Sequence, residues 1–514
     1  EGLYDKAFVR DWCVGFDELR QRVDEYPLER VAQITGVPAE DIAAAARMYA
    51  NADGAVIPWT PITDQQLSST SAIRLHSILR AVTGNLDVVG GETLGGFSQA
   101  YVPESEIGLH ERLSPEQKAK QLGYDDHPAF TYRAAEMLKE PTEKVWGFPY
   151  ADIVMGCQMA NPTSVFRAMT SEDPYPVKAF FCLGNNALLS YANQHQIHKA
   201  MLNQELIVSH EIFMTPTAML ADYVLPGDVF TERNHVADSW SWSTRLALSQ
   251  KVVEPPAEAS STFQFWTDLA HRMGFADEFP WTNLEDMLDY RLARGGRTFQ
   301  EFASETYMEL APPKFRKYRD KGFATPSGKV ELASSILGDL GFDSLPYYRE
   351  LPSQSEEYPY LVFTGVREDP FFQTGQRNIE SLRRRMPAPS LYLHTSDAER
   401  EGLVDGDWAK LSTPQGEVVA QVAVHETMKQ GHIRVPHGWW YPELRGQASL
   451  AGAFISSDAV LCADSDEWLD HEQGVPHFKG FPGKVEKTDK PQQVSRTTPA
   501  DWQADQAVEA HAKS

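Results

Sequence analysis

The sequence predicts an α/β fold in which parallel strands alternate with helices. The apolar run at residues 179–183 is typical of a buried parallel strand, and it stops at the turn-forming residues Gly184, Asn185 and Asn186. A helical pattern and a second apolar strand at residues 206–208 follow, and residues 221–226 close the unit. Two successive strand–helix units of this kind indicate a Rossmann-like sheet that binds a nucleotide.

Polar residues stand where the two predicted strands end. Asn185 and Asn186 follow the first strand, and Glu211 ends the second. Ligands of open parallel sheets lie beyond the carboxyl ends of the strands, so we expect a dinucleotide at this edge. The alternatives are ordinary turn formation for the asparagines and a solvent-facing carboxylate for Glu211, which could otherwise accept guanine N–H groups. Asp222 either caps backbone donors or contacts the nucleotide.

The first hundred residues carry their own helix and strand signals. Pro38 followed by acidic residues predicts a helix that extends to Ala50. The apolar run 55–59 predicts a buried strand, and the pattern at residues 71–82 predicts a helix that ends at Gly84. Residues 95–142 are polar and aromatic without clear periodicity, and we expect mostly loop there.

Length and composition restrict the class of protein. The chain has 514 residues, which predicts two to four domains, with 42% hydrophobic and 23% charged residues, as in globular proteins. A formal net charge of −25 makes nucleic acid and anionic membrane poor partners. No apolar run is long enough to span a bilayer. The choice between cytoplasm and periplasm stays open.

The four cysteines are scattered along the chain. They are Cys13, Cys157, Cys182 and Cys462, and no CxxC spacing occurs. A disulfide framework is not expected at this size, and no close-spaced set could hold an iron–sulfur cluster or zinc.

Six further segments occur in a characteristic order. They are TGNLD at 83–87 with Gly90 and Gly91, IFMTPT at 212–217, ADYVLP at 221–226, TPSGKVEL at 325–332, an acidic stretch at 397–407, and HGWW at 437–440. In this order, and over nearly the whole chain, they resemble the molybdopterin-dependent oxidoreductases of the dimethyl sulfoxide reductase type.

The resemblance implies a division into domains. Residues 1–98 would be the end of one α/β pterin-binding domain, and residues 99–345 the returning half of a second. Residues 346–487 would form a β-barrel of the double-psi type that binds the molybdopterin dinucleotide, and residues 488–514 a loosely attached tail. The alternation of Val418, Ala420 and Val422 after the turn at 414–416 is typical of a half-buried barrel strand.

The resemblance also implies cofactors: two molybdopterin guanine dinucleotides that carry molybdenum or tungsten. It places cofactor contacts at Asn185, Asn186, Glu211, Thr215, Thr217, Asp222, Thr364, Gly365, Arg367, Gln373, Thr374, His437, Gly438, Trp439, Trp440 and Lys479. The glycines would let the backbone approach a pterin, and Arg367 would make a forked contact to an anion. Arg377, on the same loop, could join Gln373 and Thr374 at a pyrophosphate. The alternatives are a surface salt bridge for Arg367 and a solvated side chain for Lys479.

The implied activity is two-electron oxidoreduction or metal-assisted hydration of a small molecule. The HGWW segment and the later KGFPGKV at 479–485 are similar to family members that hydrate acetylene or reduce thiosulfate and polysulfide. Formate oxidation is disfavoured because residues 92–99 lack the arginine of formate dehydrogenases. The alternatives are a non-catalytic scaffold subunit of a respiratory complex and an NAD-dependent dehydrogenase, which lacks support because no GxGxxG follows a strand.

The family's cysteine-rich region and metal ligand do not occur in this sequence. Both belong to the amino-terminal part of the family, and we expect them upstream of Glu1. The resemblance therefore implies that a 4Fe-4S cluster and the metal ligand lie outside this chain, which would be part of a longer or split enzyme. The expected partners are that upstream part and an iron–sulfur electron-transfer subunit.

Overall fold

The computed structural model describes residues 1–95, 100–237, 245–305, 307–312, 314–444 and 450–492. The strands of these residues form a two-stranded parallel sheet, a three-stranded parallel sheet, a three-stranded antiparallel sheet and a closed six-stranded barrel. The fold is therefore α/β with a carboxyl-terminal barrel, as the sequence predicts. The part of the tail beyond residue 492 and the stretch 96–99 lie outside the described residues.

The strands are short, and most have two to seven residues. They are β1 Cys13–Val14, β2 Ala179–Leu183, β3 Leu206–Glu211, β4 Tyr223–Pro226, β5 His235–Ala237, β6 Arg245–Ser249, β7 Tyr307–Glu309, β8 Val330–Glu331, β9 Tyr360–Val366, β10 Ser390–Leu393, β11 Trp408–Ser412, β12 Glu417–Val424, β13 His432–Pro436 and β14 Lys479–Lys487.

The helices surround the sheets. They are α1 Lys6–Trp12, α2 Phe16–Val23, α3 Leu28–Thr35, α4 Ala39–Ala50, α5 Pro61–Asp64, α6 Ser69–Val82, α7 Glu104–Ile107, α8 Pro115–Lys118, α9 Tyr132–Met137, α10 Lys139–Trp146, α11 Tyr150–Ile153, α12 Pro162–Ser171, α13 Ala187–Ser190, α14 Gln194–Leu202, α15 Thr262–Arg272, α16 Leu284–Ala293, α17 Phe299–Phe302, α18 Tyr318–Lys321, α19 Ser335–Asp339, α20 Glu380–Arg383, α21 Thr395–Arg400 and α22 Ala453–Ser456. Among the described residues, none of these helices is both long and apolar enough to cross a bilayer.

The amino-terminal unit takes part of its core from residues far along the chain. Strand β1 pairs in parallel with β8, and Phe8 and Ile78 share a core with Tyr318 and Leu332. Residues near 318–332, which the prediction assigns to the domain 99–345, thus pack on the unit at residues 8–86. The division into domains stays a prediction.

The predicted strand at residues 55–59 is wrong. The structure has no strand there, and the Ala55 N–H donates to the Asn85 side-chain oxygen at 2.9 Å. Pro58 has no N–H to give to a neighbouring strand, which disfavours a strand at this position. Helices α4 and α6 confirm the two predicted helices of this region.

The three-stranded parallel sheet confirms the predicted strand–helix units. Strands β2 and β4 flank β3, and Leu183 pairs with His210, which pairs in turn with Leu225. Helix α14 covers the sheet with Ile197 and Met201, which are fully buried. Strand β2 is less buried than predicted because it lies at an edge of the sheet. The register brings the carboxyl ends of β2 and β3 to one edge.

Two features of the middle of the chain differ from the expectation. The stretch 95–142, predicted as mostly loop, contains the short helices α7 to α9 and the start of α10. Strands β5, β6 and β7 form an antiparallel sheet whose core includes Val236, Leu246 and Met308, packed with Leu288 of α16. Strands of three to five residues leave too little alternation in the sequence to be predicted.

The barrel closes in the order β10–β12–β11–β14–β9–β13. Strands β11 and β12 form the predicted hairpin, and Val418, Ala420 and Val422 point into the core. Strand β13 runs parallel to β9, with Pro436 beside Val366. The loops that follow these two strands therefore leave the barrel at the same end.

Candidate functional site

A cavity of about 700 Å³ lies where the amino-terminal unit, the parallel sheet and the barrel meet. Its walls come from the carboxyl ends of β2 and β3, the loops after β9 and β13, and helix α5 with the flanking residues 60 and 65. The predicted site residues that line it are Asn185, Asn186, Glu211, Thr215, Gly365, Arg367, Gln373, Thr374, His437, Trp440 and Lys479. The structure thus brings together residues almost 300 positions apart in sequence, from Asn185 to Lys479.

The sheet side of the cavity, which we call the sheet rim, is formed by Asn185, Asn186, Glu211 and Thr215. The Asn186 side-chain oxygen accepts a hydrogen bond from the Thr217 hydroxyl at 2.7 Å and from its N–H at 3.3 Å. The Asn186 amide nitrogen is buried and has no partner among the described residues. A buried donor without a partner is costly, so this nitrogen is suited to a ligand acceptor in the cavity.

Thr217 supports the sheet rim from behind the cavity. It is fully buried and does not line the cavity. Its hydroxyl donates to Asn186 and accepts the Leu188 N–H at 3.0 Å. Thr217 therefore orients Asn186, and the predicted direct contact to a cofactor is not supported.

Glu211 provides a carboxylate at the carboxyl end of β3. One carboxylate oxygen accepts the Ile212 N–H at 2.8 Å, and burial raises the pKa of Glu211 above its ordinary value. Thr215 lines the cavity nearby, and its hydroxyl oxygen accepts the Ala218 N–H at 3.2 Å. The carboxylate can still accept hydrogen bonds from a ligand, because each oxygen has two lone pairs.

Asp222 does not belong to this rim. It precedes β4, and its carboxylate accepts the N–H of Ile207, near the start of β3, at 2.7 Å. Because the three strands are parallel, Asp222 lies at the amino-terminal edge of the sheet, opposite the cavity. Of the two alternatives given by the sequence, the structure shows the backbone cap.

The opposite wall, which we call the barrel rim, is formed by Gly365, Arg367, His437 and Lys479. The chain turns at Gly365 with a φ of +69° and at Gly438 with a φ of +55°. Glycine suits both positions because other residues rarely adopt a left-handed backbone. A Cβ at Gly438 would also overlap the methyl group of Thr374. Gly438 therefore shapes the rim without lining the cavity.

A buried carboxylate that the sequence does not reveal holds these two turns. The N–H of Gly365 donates to one oxygen of Asp458 and the N–H of Gly438 to the other, both at 2.7 Å. The His437 Nδ1 atom lies 3.2 Å from the same carboxylate. Burial alone would raise the pKa of Asp458, but His437 and these hydrogen bonds lower it overall. No local motif marks Asp458, because its partners are far away in sequence.

The barrel rim carries positive side chains. With its amide oxygen turned toward Arg367, Gln373 accepts hydrogen bonds from Nη2 at 2.6 Å and from Nε at 3.2 Å. The Lys479 ammonium donates to the Thr364 carbonyl, and burial lowers the pKa of Lys479 although the Asp458 carboxylate opposes that shift. This part of the cavity is therefore suited to an anionic ligand.

Thr364 lies behind the rim. Its side chain is fully buried, and its hydroxyl donates to the Phe478 carbonyl at 2.8 Å. Thr364 does not line the cavity, so its predicted contact with a pterin is not supported. Its role in the structure is to join the end of β9 to the segment before β14.

The two adjacent tryptophans have different environments. The Trp440 indole N–H donates to the Thr374 carbonyl at 2.7 Å, and Trp440 lines the cavity. Trp439 is fully buried in a separate cluster with Phe371 and Tyr441, and it does not reach the cavity. The predicted cofactor contact therefore fits Trp440 and not Trp439.

Arg377 stabilises the loop and does not face the cavity. Its guanidinium donates to the carbonyl groups of Gln373, Gly375 and His437, the last two at 2.7 Å. Burial lowers the pKa of Arg377 to about 9. The Nη donors are used within the protein, the Nε donor has no partner among the described residues, and Arg377 does not line the cavity. The pyrophosphate contact stays a prediction.

The sequence does not predict that helix α5 and the flanking residues 60 and 65 belong to the site. Thr60, Ile62 and Gln65 line the cavity, and the Gln65 carbonyl accepts the Phe478 N–H at 3.2 Å. Nothing in the local sequence marks these residues, since they reach the cavity only through the packing of the amino-terminal unit on the barrel.

The cavity therefore offers two kinds of recognition. The sheet rim offers a free amide donor and a carboxylate, which suit the edge of a nucleobase. The barrel rim offers cationic side chains, which suit phosphate or other anionic groups. Among the described residues, no group of three or more His, Cys, Asp or Glu side chains is arranged to hold a metal ion.

Comparison with known proteins identifies this architecture. Residues 361–482 match the family described as "Molydopterin dinucleotide binding domain", and residues 126–272 match "Molybdopterin oxidoreductase". An acetylene hydratase of Syntrophotalea acetylenica is 45% identical over 490 residues, which cover 93% of this chain and 67% of that protein. The structure of acetylene hydratase from Pelobacter acetylenicus matches with a TM-score of 0.90 and 44% identity, over 95% of this chain and 68% of that one.

A reductase is a more distant relative. The thiosulfate reductase molybdopterin-containing subunit of Salmonella typhimurium is 25% identical, over 80% of this chain and 56% of that protein. The chain thus spans between about half and two thirds of the length of these relatives. The matched domains show that the enzyme uses a molybdopterin cofactor that carries molybdenum or tungsten. On these similarities, the chain belongs to the molybdopterin oxidoreductase family.

Proposed function

We propose that this chain contributes to the cofactor cleft of an enzyme that hydrates acetylene, or a closely related small unsaturated compound. The observation that carries the proposal is the 45% identity to an acetylene hydratase over 93% of the chain, against 25% to a thiosulfate reductase. We further propose that the enzyme binds two molybdopterin guanine dinucleotides, and that the cavity holds the dinucleotide part of one of them.

The residues of the cavity fit such a ligand. Glu211 would accept the N1–H and N2–H groups of guanine, which need an acceptor such as a carboxylate. The buried Asn186 amide nitrogen, which has no partner among the described residues, would donate to the base or the ribose. Arg367, His437 and Lys479 would face phosphate or pterin oxygens, and the charges of Arg367 and Lys479 would offset the charge of the ligand.

The cofactor and the protein have separate tasks in this proposal. When bound, the cofactor supplies a metal that activates water for addition to a triple bond. The residues of this chain bind and orient the cofactor, and they close one side of the cleft. Hydration transfers no electrons, so the proposal does not require an electron-transfer subunit. The 4Fe-4S cluster, the metal ligand and an iron–sulfur partner stay predictions of the resemblance.

The test is to purify the enzyme anaerobically from cells grown with tungstate or molybdate. The expected result is bound metal, guanine nucleotide released on acid treatment, and acetaldehyde formed from acetylene without an electron acceptor or donor. A matched assay with thiosulfate and a reduced viologen dye measures the reductase activity. Thiosulfate reduction without acetaldehyde formation would overturn the hydratase proposal, and absence of pterin and metal would favour a non-catalytic scaffold.

A further inference from the structure

We propose that Asp458 is a positioning residue that joins the ends of β9 and β13, so that the cofactor meets cationic side chains and not glycine N–H groups. This inference rests on the proposed cofactor cavity and deepens it. It concerns a side chain that does not line the cavity but holds residues that do.

The position of Asp458 supports this role. It begins a short helical turn at Asp458–Leu461 and is only 1% exposed. One oxygen accepts the Gly365 N–H and the other the Gly438 N–H, so a single side chain spans two neighbouring strand ends. The strands themselves are joined by the His437 N–H, which donates to the Val366 carbonyl at 2.7 Å.

The chemistry of Asp458 fixes the orientation of a neighbouring imidazole. An ionised carboxylate only accepts hydrogen bonds, so the His437 Nδ1 atom, at 3.2 Å, must carry a proton. The other ring nitrogen, Nε2, is then the atom available to a ligand, since His437 lines the cavity. Asp458 thus determines which ring nitrogen of His437 is available to the cofactor.

The use of the two glycine amides has a second consequence. Backbone N–H groups that point to one place can form an anion site. The N–H groups of Gly365 and Gly438 point to one place. Both N–H groups donate to Asp458, so they are not free to bind phosphate. Recognition of an anion at the barrel rim therefore falls to Arg367, His437 and Lys479.

The chain contains a matched control for a variant of Asp458. Asp397 is also 1% exposed and lies in helix α21, which packs on the same barrel; it accepts the Gly431 N–H at 2.7 Å and pairs with Arg400 at 2.9 Å. It does not line or support the cavity. Asp397→Asn should therefore reproduce the general cost of altering a buried carboxylate, without the effect on the cofactor.

The experiment compares Asp458→Asn and Asp397→Asn in the purified holoenzyme. We measure the melting temperature and the pterin that remains per polypeptide after dialysis, over a range of pH. At a matched loss of melting temperature, Asp458→Asn should retain about tenfold less pterin, whereas Asp397→Asn should retain the wild-type amount. Equal retention in the two variants would overturn the proposal.

The pH series adds a readout that a purely structural role would not change. Removing the negative charge beside Lys479 should let the ammonium lose its proton at lower pH, so Asp458→Asn should release pterin at a lower alkaline pH than wild type. An unchanged release pH would contradict the proposal. If the wild-type enzyme holds no pterin, both the proposed function and the role of Asp458 are wrong. If the wild-type enzyme holds pterin and the two variants retain it equally, only the role of Asp458 is wrong.

A second variant covers the case in which Asp458→Asn does not fold. His437→Asn keeps a side-chain N–H in the place of Nδ1 for Asp458 and removes Nε2. We expect a nearly unchanged melting temperature with roughly threefold to tenfold less retained pterin. Wild-type retention in His437→Asn would show that the imidazole does not reach the cofactor, and would overturn the proposal.

Discussion

The sheet rim and the barrel rim face the same cavity but are built in opposite ways. At the sheet rim, Gly184 turns with a φ of +58° and has nothing within 4 Å of the place a Cβ would take, and the Asn186 amide has no partner among the described residues. At the barrel rim, Gly438 is packed against Thr374, and both glycine N–H groups are bound by Asp458. The first rim is open and leaves hydrogen-bonding groups for a ligand. The second is closed, and its two glycine N–H groups are not available to a ligand.

This difference shows how one cavity can recognise two parts of a ligand. Hydrogen-bonding groups can distinguish one nucleobase from another, because their donors and acceptors must match those on the edge of the base. Charged side chains attract any anion of suitable size, and their effect depends on charge more than on pattern. Substitutions in the two rims should therefore differ in kind.

The largest effect should come from adding a methyl group to the closed rim. Gly438→Ala places a Cβ in a left-handed backbone and against Thr374, and we expect a loss of about 3 kcal/mol in the free energy of unfolding. Gly184→Ala is the matched change in the open rim and should cost only about 1 kcal/mol. Denaturant unfolding followed by tryptophan fluorescence measures both, and equal losses would contradict the contrast between the rims.

The second effect concerns base recognition at the open rim. Glu211→Gln replaces an acceptor oxygen with a donor that would face guanine N–H groups, so cofactor affinity should fall by about 1–3 kcal/mol. Pterin retained after dialysis is the measurement. Glu205→Gln is the control, because Glu205 forms an exposed pair with Lys178 away from the cavity. Full pterin occupancy in Glu211→Gln would remove Glu211 from the site.

A smaller effect is expected at the cationic rim. Arg367→Lys keeps the charge but loses the two-point contact with Gln373, so cofactor affinity should fall by about 1 kcal/mol. Arg384→Lys, at an exposed pair with Glu380, serves as the control and should change nothing. If activity and metal content are the same in both variants, Arg367 is not a cofactor ligand.

The smallest effect is a difference in pH dependence between the rims. Burial raises the pKa of Glu211, and a carboxylate is charged only above its pKa, so cofactor retention should fall on acidification at a higher pH than for an ordinary glutamate. Burial lowers the pKa of Lys479, so retention should fall on the alkaline side below the usual lysine range. Glu211→Gln should flatten only the acid limb. If the loss of cofactor at acidic pH persists in Glu211→Gln, a group other than Glu211 causes it.

The open rim could be predicted from the sequence, whereas the closed rim could be predicted only in part. Asn186 and Glu211 follow apolar strands directly, and a parallel sheet brings strand ends to one edge, so a local pattern was sufficient. Gly365, Arg367 and His437 are predicted only by the family resemblance. The sequence does not reveal Asp458 and Gln65, because they act through partners distant in sequence. A motif also does not show which of Trp439 and Trp440 faces the cavity.

The fold shows the same limit. The hairpin of β11 and β12 and the helix α6 have strong alternation or periodicity and were predicted correctly. The run at residues 55–59 has the composition of a strand, but Pro58 cannot donate to a ladder, and the chain there is irregular. The pairing of β1 with β8 leaves no trace in either segment, because each contributes only two residues.

That pairing has a consequence for the order in which the protein folds during synthesis. The core of the amino-terminal unit includes Phe8 and Ile78 but also Tyr318 and Leu332, so it cannot close until the ribosome has made the later segment. At about 5–20 residues per second, the wait between Cys13 and its partner Val330 is roughly 15–60 s. During that time the parts of α1 and α6 that pack on Tyr318 and Leu332 stay uncovered, so we expect the nascent chain to need protection from aggregation.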